Sequence, residues 1–118
     1  GAYRNNNKGA AYVFTKPPTG WKDTTETAKL SASDGTSSNY FGYSVNISGD
    51  YIVVGAYRKN NKGAAYVFTK PPTGWKDTTE TAKLLASDGT SGDYFGCNVS
   101  ISDSNIVVGA YGDNNNGS

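Results

Sequence analysis

Short runs of alternating or continuous apolar residues recur along the chain, and no apolar stripe of helical spacing reaches a useful length. Apolar residues take every second position in 41–48, which predicts a strand with one apolar face. Residues 51–57 are almost continuously apolar and predict a strand that is covered on both faces. Residues 64–69 predict a third strand, and the Thr-rich residues 75–86 predict a weaker fourth strand at an outer edge.

Turn-forming residues separate these four segments. A short Ser-Gly-Asp turn at 48–50 favours a hairpin between the first two strands, and Pro-Pro-Thr-Gly at 71–74 breaks the chain after the third strand. Four antiparallel strands in about 50 residues, decreasing in hydrophobicity from the first pair outward, are typical of a propeller blade. We therefore predict an all-β fold of tandem four-stranded antiparallel β-propeller blades.

The chain also repeats itself. Residues 1–54 and 55–108 align without a gap and differ at ten positions, and residues 109–118 begin a third copy. A repeat of this period is typical of a propeller, a solenoid or an array, in which each unit buries its apolar faces against its neighbours. The function is therefore expected to lie in the surface that several copies create together.

The repeat does not begin at a blade boundary. We expect residues 1–40 to hold the third and fourth strands of a first blade, 41–94 to be a complete second blade, and 95–118 to hold the first two strands of a third blade. This amounts to about two blade equivalents, and propellers usually have at least four blades. The chain is therefore expected to be part of a larger propeller or assembly, either as a segment of a longer polypeptide or through copies that join end to end.

Composition narrows the classes of function. The 118 residues carry 11 basic and 10 acidic side chains, so no strong charge favours nucleic acid or an acidic membrane as a partner. No apolar run approaches the roughly 20 residues of a membrane span, so membrane insertion is not expected. The chain has no His and one Cys, which excludes a Ser-His-Asp or Cys-His hydrolase site and a structural zinc site within it. We predict that the protein is not an enzyme and needs no cofactor.

A set of short motifs recurs in register in both copies. In the first full set these motifs are Tyr-Phe-Gly at 40–42, Val-Val-Gly-Ala at 53–56 and Gly-Ala-Ala-Tyr-Val-Phe at 63–68. They resemble the FG-GAP repeat of integrin α-subunit β-propellers, and most closely the form of that repeat found in bacteria and lower eukaryotes. One difference is that the usual Pro after Gly-Ala is replaced by Tyr3, Tyr57 and Tyr111.

The resemblance implies a propeller at the cell surface or outside the cell that is used for adhesion or ligand recognition, and it does not imply catalysis. Many integrin-type repeats carry an Asp-rich calcium loop between the first and second strands of a blade. Calcium takes about six to eight oxygen ligands, whereas the corresponding turns at 48–50 and 102–105 are short and hold few carboxylates. We therefore predict that these turns bind no metal.

Two loops of each blade are expected to share one face of the molecule. One joins the second and third strands, and the other leads from the fourth strand to the next blade. Their Arg, Tyr and Asn residues are types that make contacts at protein and glycan surfaces, although they also suit a solvated turn. The candidate residues of a ligand or self-assembly surface are Tyr57, Arg58, Lys59, Asn60, Asn61, Lys62, Asp88, Asp93 and Tyr94.

Two further polar features leave alternatives open. The pairs Asp34 with Asn39 and Asp88 with Asp93 have the composition of a weak metal site or of hydrogen bonds within their own loops. The second interpretation agrees with the prediction of no metal. Asn116, in an Asn-Gly-Ser sequence within a loop, is a candidate for an N-linked glycan if the source is eukaryotic.

These features together predict a non-enzymatic adhesion or recognition module that is extracellular or at the cell surface. Its partner would be a protein or glycan ligand, or copies of itself. One alternative is a structural subunit or segment of an extracellular fibre, sheath or surface layer, because near-identical repeats suit such an array. Another is an accessory domain of a secreted enzyme.

Overall fold

The computed structural model of the chain describes residues 1–4, 8–36 and 39–112, which form three β-sheets. Among these residues, helical structure is limited to a single turn of 3-10 helix at Lys59–Asn61. The predicted all-β fold is confirmed. The strands are β1 (Ala11–Val13), β2 (Ala28–Ser31), β3 (Ser44–Ser48), β4 (Tyr51–Ala56), β5 (Ala64–Thr69), β6 (Thr78–Thr79), β7 (Ala82–Leu84), β8 (Asn98–Ser102) and β9 (Asn105–Gly109).

The central sheet is a four-stranded antiparallel blade in the order β3-β4-β5-β7. Val54 of β4 lies opposite Val45 of β3 on one side and Tyr66 of β5 on the other, and Tyr66 lies opposite Lys83 of β7. The inner strand β4 is buried from Ile52 to Ala56, as its continuous apolar sequence predicts. The prediction of four-stranded antiparallel blades is therefore confirmed.

A smaller sheet lies on each side of the central blade. Strands β1 and β2 pair antiparallel, and β6 adds to the outer edge of β2 in parallel orientation. Strands β8 and β9 form an antiparallel hairpin whose register repeats that of β3 and β4. The β8–β9 hairpin thus repeats the first two strands of the central sheet.

The prediction of one continuous fourth strand at 75–86 is wrong. Its residues form two short strands in different sheets, since β6 joins β2 while β7 joins β5. The Asp77 carboxylate accepts a hydrogen bond from the backbone N–H of Lys29 at 2.9 Å, and Glu80 accepts one from the backbone N–H of Ser33 at 2.9 Å. These contacts tie the start of the segment to the preceding blade.

The predicted strand at 41–48 begins three residues late, at Ser44. Tyr40 and Gly42 have positive φ angles of 58° and 90°, so the chain makes a tight turn here instead of extending. Phe41 lies inside this turn with 1% of its surface exposed. The strand predicted at 51–57 ends one residue early at Ala56, and the strand predicted at 64–69 is confirmed.

The blades stack through their apolar faces. Val53 and Ala65 of the central blade pack against Val99 and Ile101 of β8, and all four side chains are buried. This stacking needs close backbone approach at Gly63, because a Cβ there would overlap the backbone carbonyl oxygen of Phe95.

Candidate recognition surface

The loop between β4 and β5 and the loop between β7 and β8 meet at one end of the central blade. The Gly92 N–H donates to the Asn61 carbonyl oxygen at 2.8 Å, and the Phe95 N–H donates to the Lys62 carbonyl oxygen at 3.1 Å. The loop before β3 joins the same end, where the Arg58 N–H donates to the Asn39 carbonyl oxygen at 3.3 Å. The structure therefore brings the two predicted loops together, and we call this the loop end.

Six tyrosines form a continuous line of ring contacts across the loop end. Neighbouring ring centroids lie 4.5 Å to 5.6 Å apart, and most pairs meet edge to face or tilted, as aromatic pairs prefer. We call this line the tyrosine row. Its members are Tyr3, Tyr40, Tyr43, Tyr57, Tyr94 and Tyr111.

Five of the six tyrosines come from two positions of the repeat, and Tyr43 comes from a third. Tyr57 follows Gly-Ala directly after β4, and Tyr3 and Tyr111 take the same position in the other copies. Tyr40 and Tyr94 precede Phe-Gly in positive-φ turns, at 58° and 59°. Because the repeats stack side by side, these positions alternate in space and their rings meet across the blade boundaries.

Arginine side chains lie over the rings of the row. The Arg58 guanidinium carbon is 5.2 Å from the Tyr40 ring centroid and 5.7 Å from that of Tyr57, and Arg4 is 5.5 Å from the centroid of Tyr3. These distances are in the range of cation–π attraction. A hydrogen bond with Tyr57 also raises the pKa of the exposed Arg58, so this side chain stays cationic.

Lys59 was predicted as a surface residue of these loops, but its side chain lies beneath the loop end. The side chain is buried, and its Nζ donates to the backbone carbonyl oxygen of Asp34 at 2.6 Å and lies 3.4 Å from the Asp34 carboxylate. The same carboxylate accepts hydrogen bonds from the Tyr66 hydroxyl at 2.8 Å and from the Lys83 Nζ at 2.7 Å. Lys59 and Asp34 therefore connect the loops of adjacent blades beneath the surface.

This cluster changes the acidity of its members. Partial burial raises the pKa of Asp34, but the hydrogen bonds from Lys83 and Tyr66 and the charges of Lys59 and Lys83 outweigh it and lower the pKa to about 2. Burial, followed by the hydrogen bond to the Asp34 carboxylate, raises the pKa of Tyr66 well above its ordinary value. The carboxylate is thus ionised and the phenol neutral across the physiological range.

The other predicted residues divide between surface and loop structure. Asn60, Asn61 and Lys62 are exposed, and the two asparagines have positive φ angles of 50° and 62°. Asp93 is buried, with both carboxylate oxygens accepting hydrogen bonds from the backbone N–H and the hydroxyl of Thr90, at 2.6 Å and 2.9 Å. These contacts agree with the interpretation that Asp93 makes hydrogen bonds within its own loop instead of binding a metal.

Asp88 is exposed in the same loop, and Asn116 lies outside the described residues. Over residues 1–4, 8–36 and 39–112, no group of three or more His, Cys, Asp and Glu side chains could hold a metal ion. No helix in this part of the chain is long and apolar enough to cross a membrane.

Sequence reasoning missed four members of the tyrosine row. Tyr57 and Tyr94 were predicted as surface residues, whereas Tyr3, Tyr40, Tyr43 and Tyr111 were not. The signal was available for three of them, because Tyr3, Tyr40 and Tyr111 take the repeat positions of Tyr57 and Tyr94. Tyr43 gave no such signal, since Cys97 replaces it in the second copy.

A four-stranded antiparallel blade that stacks face to face with the neighbouring sheets is typical of a β-propeller-type module. The family model of the FG-GAP repeat matches residues 24–68 and 78–118, and the chain therefore belongs to the FG-GAP repeat family. A comparison with individual curated proteins gives no significant match. The predicted resemblance is confirmed. Members of this family are typically non-catalytic propeller modules, and the repeat is typical of extracellular and surface proteins.

Proposed function

We propose that the chain is a non-enzymatic, extracellular recognition module that binds a protein or glycan ligand through the tyrosine row and its arginines. The observation that carries the proposal is the continuous line of six tyrosine rings with Arg4 and Arg58 over them. Tyr and Arg are the side chains most enriched at the energetic centres of binding surfaces. The row extends over successive repeats, so each added copy lengthens the same surface.

The charges around the row favour a ligand with acidic groups. Arg58 lies over the rings and Lys62 is exposed in the same loop, while the Asp34 carboxylate is bound by Lys83 of the adjacent blade and that of Asp93 by Thr90 of its own loop. A carboxylated or sulfated group would therefore meet cations and few free anions. Tyrosine rings present apolar area to the ring face of a sugar and hydroxyl groups to its polar edge.

A rigid support makes this surface suitable for recognition. Tyr43 and Tyr111 have 49% and 74% of their surfaces exposed, so the row is open to solvent at these positions. The backbone beneath is fixed by the hydrogen bonds that join the loops and by the buried Lys59 contact with Asp34. A surface that is ordered before binding loses little conformational entropy when a ligand arrives.

Binding to immobilised ligands tests the proposal. The wild-type chain would be applied to an array of neutral, carboxylated and sulfated oligosaccharides and to a matched panel of extracellular proteins. Arg58→Ala should weaken the strongest interaction by about tenfold or more, because removal of a central arginine typically costs well over 1 kcal/mol. Lys70→Ala is the matched control, since Lys70 is an exposed cation at the opposite end of the blade. There its backbone N–H donates a hydrogen bond to the Asp50 carbonyl oxygen.

Selective loss of binding in Arg58→Ala with Lys70→Ala unchanged would support the proposal. Equal effects of the two variants, or no retained ligand on either array, would contradict it. Tyr43→Ala gives a second test on the exposed aromatic, and we expect its binding to fall in the same direction as that of Arg58→Ala.

A further inference from the structure

One pair of rings in the tyrosine row is closer than all the others. The ring centroids of Tyr43 and Tyr57 lie 4.5 Å apart, with an angle of 60° between the ring planes. The other contacts of the row have centroid distances of 5.1 Å to 5.6 Å. A distance of 4.5 Å is at the short end of the range for aromatic pairs, so atoms of these two rings are in direct contact.

The backbone of the central blade holds this pair together. Ser44, at the start of β3, lies opposite Gly55 of β4. Tyr43 directly precedes Ser44, and Tyr57 directly follows the last residue of β4. The two tyrosines therefore flank the same end of a hydrogen-bonded hairpin, and their separation is fixed by the pairing of β3 with β4.

Solvent reaches this pair. Tyr43 is 49% exposed and Tyr57 is half-buried. Tyr43 lies between Tyr57 and Tyr3 of the preceding repeat, whose ring centroid is 5.4 Å away, so its neighbours on both sides are present. A reagent in solution therefore has access to the Tyr43 ring at the surface of the loop end.

Positive charge is distributed unevenly along this part of the row. The Arg58 guanidinium carbon lies 5.7 Å from the Tyr57 ring centroid, and that of Arg4 lies 5.5 Å from the Tyr3 ring centroid. Over residues 1–4, 8–36 and 39–112, no cation lies over the ring of Tyr43. A nearby positive charge opposes the removal of an electron from a ring. Tyr43 therefore loses an electron more readily than the two tyrosines that it contacts here, Tyr3 and Tyr57.

We propose that the tyrosine row is a site of oxidative modification, at which Tyr43 and Tyr57 are joined as dityrosine. The oxidant is of the one-electron class, a haem peroxidase that acts with hydrogen peroxide. Exposed side chains reorient in picoseconds to nanoseconds, so the ring carbons next to the two hydroxyl groups come together without a change in the backbone.

The reaction balances in electrons and protons. Each phenol loses one electron and one proton to give a phenoxyl radical, first at Tyr43 and then at Tyr57. The two radicals form a carbon–carbon bond between the ring positions next to their oxygens, and the hydrogen on each of these carbons moves to oxygen to restore the phenols. Hydrogen peroxide takes up the two electrons and two protons and becomes two molecules of water.

This link supplies a covalent closure that cysteine cannot provide here. The chain has one cysteine, Cys97, and so forms no disulfide within itself. The FG-GAP repeat is typical of extracellular and surface proteins, and such environments are oxidising. A bond between Tyr43 and Tyr57 closes the β3–β4 hairpin and restricts the unfolded chain. In the next repeat the equivalent residues are Cys97 and Tyr111, so the same link is not available there.

Treatment of the 118-residue chain with a haem peroxidase and hydrogen peroxide tests the proposal. The protein would be kept at low micromolar concentration, so that coupling between molecules is slow. We expect dityrosine fluorescence in the monomer, with a mass lower by two hydrogen atoms. Cleavage before aspartate should then leave residues 34–49 joined to residues 50–76, and fragment-ion sequencing should assign the link to Tyr43 and Tyr57.

Two phenylalanine variants test which tyrosine reacts. Tyr43→Phe should lose most of the dityrosine within the monomer, because it keeps the ring and removes the phenol. Tyr51→Phe is the matched control and should give the wild-type yield. Tyr51 is 44% exposed, and its ring makes none of the aromatic contacts found among the described residues.

Three results would overturn the proposal. They are a wild-type yield in Tyr43→Phe, an equal loss in Tyr51→Phe, and a product in which the links join separate molecules. Since Tyr43 and Tyr51 are both exposed, we expect the two variants to keep the wild-type circular dichroism spectrum. The reaction uses no ligand, so its outcome is independent of the proposed recognition function.

The charge over Tyr57 gives a further test. Arg58→Ala should increase the initial rate of dityrosine formation, because it removes the positive charge that opposes electron loss from this ring. Arg58→Lys keeps a positive charge and should react at a rate closer to that of wild type. A rate in Arg58→Ala that is no higher than in Arg58→Lys would overturn the assigned influence of Arg58.

Discussion

At the scale of single residues, Asn39 and Asp93 show what one repeat difference does. They take the same position in the two copies, and both side chains are buried. Asp93 accepts two hydrogen bonds from Thr90. In the described part of the chain the Asn39 Nδ2 has no hydrogen-bond partner, and a buried donor without a partner reduces stability.

We therefore predict that Asn39→Asp stabilises the fold by about 1 kcal/mol, because it replaces the unpaired donor with an acceptor that the repeat already accommodates. Urea denaturation would measure the change in the free energy of unfolding. The reciprocal control is Asp93→Asn, which should destabilise by a similar amount. Destabilisation by Asn39→Asp would contradict the prediction.

The Asp34 cluster predicts a pH dependence of stability. The pKa of Asp34 is lowered from 3.8 to about 2 in the folded chain, so the folded state binds a proton less readily than the unfolded state. Its stabilising contribution is present above about pH 4 and is lost as the pH falls through about 2. The effect is modest, since solvent screens the partly exposed carboxylate.

Asp34→Asn should accordingly lower the melting temperature at pH 6, with a difference from wild type that shrinks between about pH 4 and pH 2. Thermal unfolding at a series of pH values would measure it. Asp50→Asn serves as a control, because Asp50 is exposed in a turn at the opposite end. A difference for Asp34→Asn that stays constant over this range would refute the electrostatic account.

At the scale of elements, the accuracy of the sequence prediction depends on where each strand's partners lie. The strand at 64–69 was predicted with its correct bounds, since its apolar run ends at Pro71. The start of β3 was predicted three residues too early, because the positive φ of Tyr40 belongs to a turn that packs between blades. The division of 75–86 was hidden for a similar reason, as β6 pairs with the neighbouring sheet.

The close approach of Gly63 to the Phe95 backbone gives a prediction about how much stability depends on the contact between blades. Gly63 and Gly74 both have positive φ, at 99° and 101°, but a Cβ at Gly63 would overlap the Phe95 carbonyl oxygen while nothing lies within 4 Å at Gly74. Gly74→Ala should cost about 1 to 2 kcal/mol through backbone strain alone. Gly63→Ala should cost about 1 to 3 kcal/mol more, because the blades must move apart.

Chemical denaturation of the two glycine variants would separate strain from blade contact. Equal losses of stability would show that the stacking of β8 on the central blade does not depend on close approach at Gly63. A larger loss in Gly63→Ala agrees with the packing described above.

At the scale of the whole molecule, the repeat predicted stacked blades and a shared loop end, and it did not predict the tyrosine row. The meeting of the two loops follows from the antiparallel order of strands, which sets alternate connections at the same end. Contacts such as that of Tyr43 with Tyr57, at 4.5 Å, depend on how neighbouring copies are placed in space. The assignment of residues 1–40, 41–94 and 95–118 to successive blades stays a prediction.

The central claim is that ligands bind at the loop end, along the tyrosine row. Its most direct test is an NMR titration, with backbone amide spectra of the chain recorded before and after addition of the strongest array ligand. The account predicts that the perturbed amides cluster in 40–43, 57–62 and 92–95. Perturbations confined to the opposite end, at 48–50 and 70–74, would contradict it.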